Sequence, residues 1–217
     1  VRFEGGEAVL EPLAEGWLAR PVDRGARTLP VLTVSFLGAH RPVVHVDGRP
    51  VQLSRRHAEL LALLVLHPEG LTADALATML HGDHGKTVTI RAEVHRLRGV
   101  LGPAILRTQP YRLTARVDAD FREVREALMS GRVRDAALAY RGPLLPCSDA
   151  PAIREERELL TGAVRAAVLR SGDVDAMWAL LRAGGDTDPE LLHRLRARLP
   201  DPDPRRAILA ARPADDG

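Results

Sequence analysis

Residues 89–102 read Thr-Ile-Arg-Ala-Glu-Val-His-Arg-Leu-Arg-Gly-Val-Leu-Gly and bring Arg91, His95, Arg96 and Arg98 close together. Guanidinium and imidazole groups donate hydrogen bonds to anionic oxygens, phosphates above all, and to the acceptor edges of purines. The apolar residues among them determine which project together. Ile90, Val94, Leu97 and Leu101 recur at steps of 4, 3 and 4, one stripe of an α-helix that stops at Gly102-Pro103. With about 100° of rotation per residue, Ala92, His95, Arg96 and Gly99 point away from that stripe, and Arg91 and Arg98 flank it. The outward face is therefore basic and carries small residues, which suits close approach to a DNA major groove. A solvated helix face with ordinary arginines has the same charge pattern, and charge alone does not separate the two.

The positive charge of the whole chain concentrates here. Net charge is only +2 over 217 residues, but residues 85–116 hold seven Lys and Arg against one acidic residue. Lys86, Arg107, Arg112 and Arg116 complete that cluster, and the segments on either side are slightly acidic. Because Arg outnumbers Lys 30 to 1 throughout, only the clustering carries information about a partner.

The elements that must position this helix can be read on both sides of it. Leu32, Val34 and Phe36 alternate in a β-prone run closed by Gly38. Val43–Val46 and Arg49–Leu53 flank Asp47-Gly48, a hairpin signal. Ser54 caps a first helix with Leu60, Leu61, Leu64 and Val65 inward, which ends at His67-Pro68-Glu69-Gly70. Thr72 caps a second, with Leu76, Met79 and Leu80 inward, Asp74 in its first turn and Gly82 at its end. After the 81–86 loop comes the basic helix, predicted over about 88–101. A strand pair at 105–114 around Gln109-Pro110 follows. Upstream, 8–13 and 17–22 read as a hairpin and 21–30 as a connector.

Past Asp118 only helical patterns occur. Phe121, Val124 and Leu128 line one helix, Val133, Ala136, Ala137 and Tyr140 the next, and Ile153, Leu160, Val164 and Val168 a long one. Ser148-Asp149 reads as the cap of that long helix. Short helices are expected at 174–181, 189–199 and 204–211, the last two capped by Asp188 and Asp203. Residues 113–121 pass from strand to helix with no Gly, Pro or Ser run, so the two halves are expected to dock as one particle.

The sequence from Thr89 to Gly102, with the following Leu106-Arg107-Thr108-Gln109-Pro110-Tyr111-Arg112-Leu113, resembles the recognition helix and wing of OmpR/PhoB-type winged helix-turn-helix regulators. With Phe36-Leu37-Gly38 and the Asp47-Gly48-Arg49 hairpin it is most similar to the actinobacterial variant, the Streptomyces antibiotic regulatory protein family. The family's Gly before the wing Tyr is Pro110 here. The resemblance implies an α+β chain: residues 1–30 as an N-terminal hairpin and linker or the end of an upstream domain, 31–118 as a winged helix, 119–212 as an all-α domain, and 213–217 as a mobile tail. Asp120-Phe121, Ala136-Ala137, Tyr140–Leu145 and the 155–160 helix resemble a reduced, tetratricopeptide-like bacterial transcriptional activation domain. The implied partner is double-stranded DNA, bound through Lys86, Thr89, Arg91, His95, Arg96, Arg98, Arg107 and Arg112. The 81–86 loop would meet RNA polymerase. An upstream ligand-sensing domain such as a GAF domain fits a chain that starts at Val1, and assembly into a homo-oligomer is left open. A rival reading uses the same surfaces to dock other proteins.

Other chemistries find little support. The single cysteine, Cys147, rules out an internal disulfide, and a cytoplasmic location is expected. His81, Asp83 and His84 share a loop but have no third nitrogen or sulfur ligand at regular spacing. No phosphate loop, nucleophile elbow or catalytic carboxylate pair occurs, so neither an enzyme nor a cofactor is expected. No apolar run is long enough to span a bilayer.

Overall fold

The computed structural model describes residues 2–3, 6–13, 16–21, 29–82, 86–185 and 188–211. They form a mixed α+β structure. Strands β1 (Arg2–Phe3), β2 (Gly6–Leu13) and β3 (Gly16–Pro21) make an antiparallel sheet in which Leu13 faces Gly16, the hairpin expected there. The 22–28 part of the connector and the 213–217 tail lie outside the described residues.

A second sheet starts with β4 (Val31–Ser35), β5 (Val43–Val46) and β6 (Arg49–Val51), each antiparallel to the next. Asp47 and Gly48 have φ of 48° and 76°, the double positive φ that a tight two-residue hairpin needs. Ser54 then caps α1 (Arg55–Leu66), its hydroxyl accepting from His57 N at 3.2 Å. Thr72 caps α2 (Ala73–His81) in the same way, accepting from Ala75 N at 3.1 Å. Ile90, Val94, Leu97 and Leu101 are all buried along α3 (Thr87–Leu101), as their spacing predicts. The Thr87 hydroxyl donates to the Asp74 carboxylate and ties the start of α3 to α2.

Strands β7 (Leu106–Thr108) and β8 (Tyr111–Leu113) form the expected hairpin, and Leu71 and Tyr111 exchange two backbone hydrogen bonds of 2.9 Å. The tip of the hairpin is thereby fixed to the α1–α2 connection. The order of sheet, three helices and hairpin is that expected for residues 31–114.

The segment after the hairpin differs from expectation. Residues 116–119 do not run straight from strand to helix; they form a strand of their own, β9 (Arg116–Ala119), parallel to β4 with Val31 opposite Arg116 and Val34 opposite Ala119. The strand order is β6-β5-β4-β9. Four residues carry too little alternation to announce a strand, and the pairing partner is far away in sequence.

The remaining elements are helical: α4 (Asp120–Met129), α5 (Val133–Ala139), α6 (Pro151–Ser171), α7 (Val174–Leu180) followed by a kinked turn at Leu181–Gly185 in which Gly184 has φ of 109°, α8 (Pro189–Arg198) and α9 (Arg205–Ala210). Asp188 caps α8 as expected, accepting from Leu191 N at 3.1 Å. Asp203 accepts from Arg205 N at 2.9 Å ahead of α9. The reading of Ser148-Asp149 as the cap of the long helix is corrected. No side chain caps α6, and Ser148, which does accept from Ala150 N at 3.3 Å, is buried and donates to Glu59 Oε1 in α1 at 2.7 Å. A buried carboxylate needs such a partner more than a helix with Pro151 at its start needs a cap.

Several contacts join the helices to the sheet. Asp120 Oδ2 accepts from Phe36 N at 2.8 Å and Leu37 N at 2.9 Å. Burial raises the Asp120 carboxyl above its ordinary pKa, against the opposing pull of the Leu37, Phe36 and Phe121 amides. The rings of Phe36 and Phe121 stack with centroids 6.3 Å apart. Gly38 N donates to Pro143 O at 2.9 Å, Leu145 N donates to Phe36 O at 3.1 Å, and α6 packs against α1 and α2. One continuous apolar core results, containing residues of both halves.

Candidate nucleic-acid interface

The site is built on the face of α3 opposite its buried stripe. Lys86, Thr89, Arg91, Ala92, His95, Arg96 and Gly99 are exposed there. The face is held in register from three sides. Thr87 anchors the first turn, the stripe packs inward, and Glu93 reaches back to α1, where its Oε2 lies 3.2 Å from His57 Nε2. The other Glu93 oxygen lies 3.0 Å from Arg96 Nη2. Arg96 keeps 61 % of its side chain in water, so that pair contributes at most about 0.5 kcal/mol and gives way easily to a stronger anion.

Gly99 stands in the last turn of this helix, and a Cβ there would meet nothing within 4 Å. A glycine within a helix costs up to roughly 1 kcal/mol relative to alanine, less near a helix end, and packing within the chain gives no reason to accept it. Gly99→Ala is therefore expected to raise the unfolding free energy by about that amount, read as a higher denaturant midpoint. If α3 lies close to a DNA backbone, the same variant binds duplex DNA more weakly.

Arg98 also bonds within the chain. It is half-buried, and its Nε donates to Leu106 O at 3.1 Å, joining α3 to β7. Arg107 and Arg112 face one another directly across the β7–β8 hairpin, the first exposed and the second half-buried. Like charges in such a pair repel. Pro110 lies against Gly70, where an added Cβ would come within 2.8 Å of the Pro110 Cγ. With strands of three residues and a tip held at Gly70, the hairpin presents Arg107 and Arg112 as flanking charges rather than as a reaching arm.

Three further arginines have partners within the chain. Arg116 pairs with Asp118 at 3.3 Å, Arg55 donates to Cys147 O at 3.2 Å, and Arg56 lies 2.8 Å from Glu59. Residues 83–85 of the 81–86 loop lie outside the described residues. Burial, then the charge of Arg56, lowers the His81 pKa. Among the described residues there is no cluster of potential metal ligands, and no helix is long and apolar enough to cross a membrane.

One surface residue escaped the sequence reading. Val88 is 76 % exposed in the first turn of α3. It lies off the buried stripe, about 160° from Ile90 at 100° per residue, and that offset was legible in the spacing.

No family model matches the chain. A protein of Rhodococcus erythropolis, described as an uncharacterized 47.3 kDa protein in the thcA 5' region, is 44% identical over 140 residues. The match takes in 64% of this chain and 32% of that protein, so the chain spans about a third of the length of the curated relative it matches. Among solved structures, Mycobacterium tuberculosis EmbR in complex with a low affinity phosphopeptide is similar at 22% identity and a TM-score of 0.42, covering 83% of this chain and 64% of that one.

Proposed function

We propose that the chain is a DNA-binding transcriptional regulator of the winged helix-turn-helix type, with α3 in the major groove and the β7–β8 hairpin as a short wing. The observation that carries this reading is the exposed face of α3. Arg91, His95 and Arg96 stand on it around Ala92 and Gly99, with the buried stripe directly behind. An α-helix fits the major groove, where arginine donates to guanine O6 and N7 and small residues permit close approach. Lys86 and Thr89, at the helix start, are placed for phosphate oxygens, which helix N-termini favour. Arg107 and Arg112 supply flanking positive charge, and an anion between them relieves their mutual repulsion.

In the same reading residues 31–118 form the winged helix. Residues 119–212 form a reduced, tetratricopeptide-like helical domain of the transcriptional activation type, as the sequence resemblance implies. The shared core and the buried bond from Ser148 to Glu59 support reading this domain as a rigid support for the winged helix.

Selection from a random duplex library with the full chain tests the proposal. The expected result is enrichment of a common site in which methylation of guanine N7, on the major-groove side, blocks binding. Recovery of no site, together with capture of acidic proteins by the same face, would replace DNA with a protein partner.

A further inference from the structure

Val88 is poorly explained by the fold. Its isopropyl group stays in water, and a β-branched side chain is a modest helix former. Neither burial nor helix propensity accounts for it. Isolated exposed apolar residues are common on protein surfaces, so the weight falls on where this one stands.

Val88 lies one turn before Ala92 and about three turns before Gly99, along the outermost ridge of α3. Thr89, Arg91, His95 and Arg96 surround that ridge, and all are exposed. A branched apolar side chain thus sits among hydrogen-bonding groups, in the N-terminal turn from which recognition helices reach base edges. The major-groove edge of DNA carries an apolar group to match it, the C5-methyl of thymine.

We propose that Val88 selects thymine at one position of the bound site by packing against that methyl group. The proposal rests on α3 being the recognition helix. It adds a hydrophobic term to a face otherwise built for charge and hydrogen bonds. One buried methyl changes an equilibrium by about four-fold, enough to set a base preference without dominating affinity.

The test uses the full chain and a duplex chosen by it from a random library. Each thymine in that duplex is replaced in turn by deoxyuridine, which removes only the methyl group. The wild-type chain is expected to lose about four-fold in affinity at one thymine per bound half-site and little elsewhere. Val88→Ala is expected to bind thymine and uracil equally at that position. Insensitivity of the wild type to every replacement overturns the proposal, as does a methyl effect that survives in Val88→Ala. Salt-dependent binding without methyl sensitivity removes only the role of Val88, whereas absence of any duplex binding removes the recognition-helix reading as well.

Discussion

Replacing Arg91, His95 and Arg96 together by alanine is expected to abolish site-specific DNA binding and leave the circular dichroism spectrum unchanged. Each good contact to a base edge is worth about 1–3 kcal/mol, so three lost contacts lower affinity on the order of a hundred-fold or more. The fold should not notice. All three side chains are exposed, the buried stripe of α3 is untouched, and alanine is the better helix former. The pair of Arg96 with Glu93 is the one contact of note that is lost, and an exposed pair of this kind contributes little. Affinity measured by anisotropy, beside thermal melts of both proteins, checks this. Full binding by the variant would remove α3 from the interface.

Gly38→Ala is expected to weaken the whole molecule, because the halves meet closely at that residue. Gly38 has φ of +64°, and a Cβ built there would overlap the backbone oxygen of Arg141. The backbone cost for a non-glycine residue is about 1–2 kcal/mol, and displacing packed backbone adds about 1–3 kcal/mol. A sum of roughly 2–5 kcal/mol is a large part of the 5–15 kcal/mol typical of a folded protein. Gly131→Ala is the control, since φ there is +70° but a Cβ would meet nothing within 4 Å. Chemical denaturation should show the larger midpoint loss for Gly38→Ala, with melting of helices and sheet coincident. Equal losses in the two variants would mean that this contact does not hold the halves together.

Local signals were legible where one residue or one period carries them. The stripe of α3 could be read from four residues, the β5–β6 turn from Asp47-Gly48, and the starts of α1 and α2 from the oxygens of Ser54 and Thr72. What escaped depends on distant partners. Strand β9 exists because β4 offers it a free edge, and nothing within residues 116–119 says so. Ser148 looked like a cap because the buried Glu59 carboxylate that claims its hydroxyl belongs to α1. In the site, the exposure of Arg91, His95 and Arg96 followed from helical period. The engagement of Arg98 with Leu106 O required knowing where the hairpin folds back.

The most direct test of the DNA-binding account is the affinity of the full chain for duplex DNA as a function of salt. Each phosphate neutralised releases condensed counterions, so log K falls against log salt with a slope of about −0.9 per contact. With the cationic side chains of Lys86, Arg107 and Arg112 on phosphates, the account predicts a slope of about −3. It also predicts a shallower slope when the two hairpin arginines are removed. Absence of binding at low salt, or binding that is indifferent to salt, would contradict it.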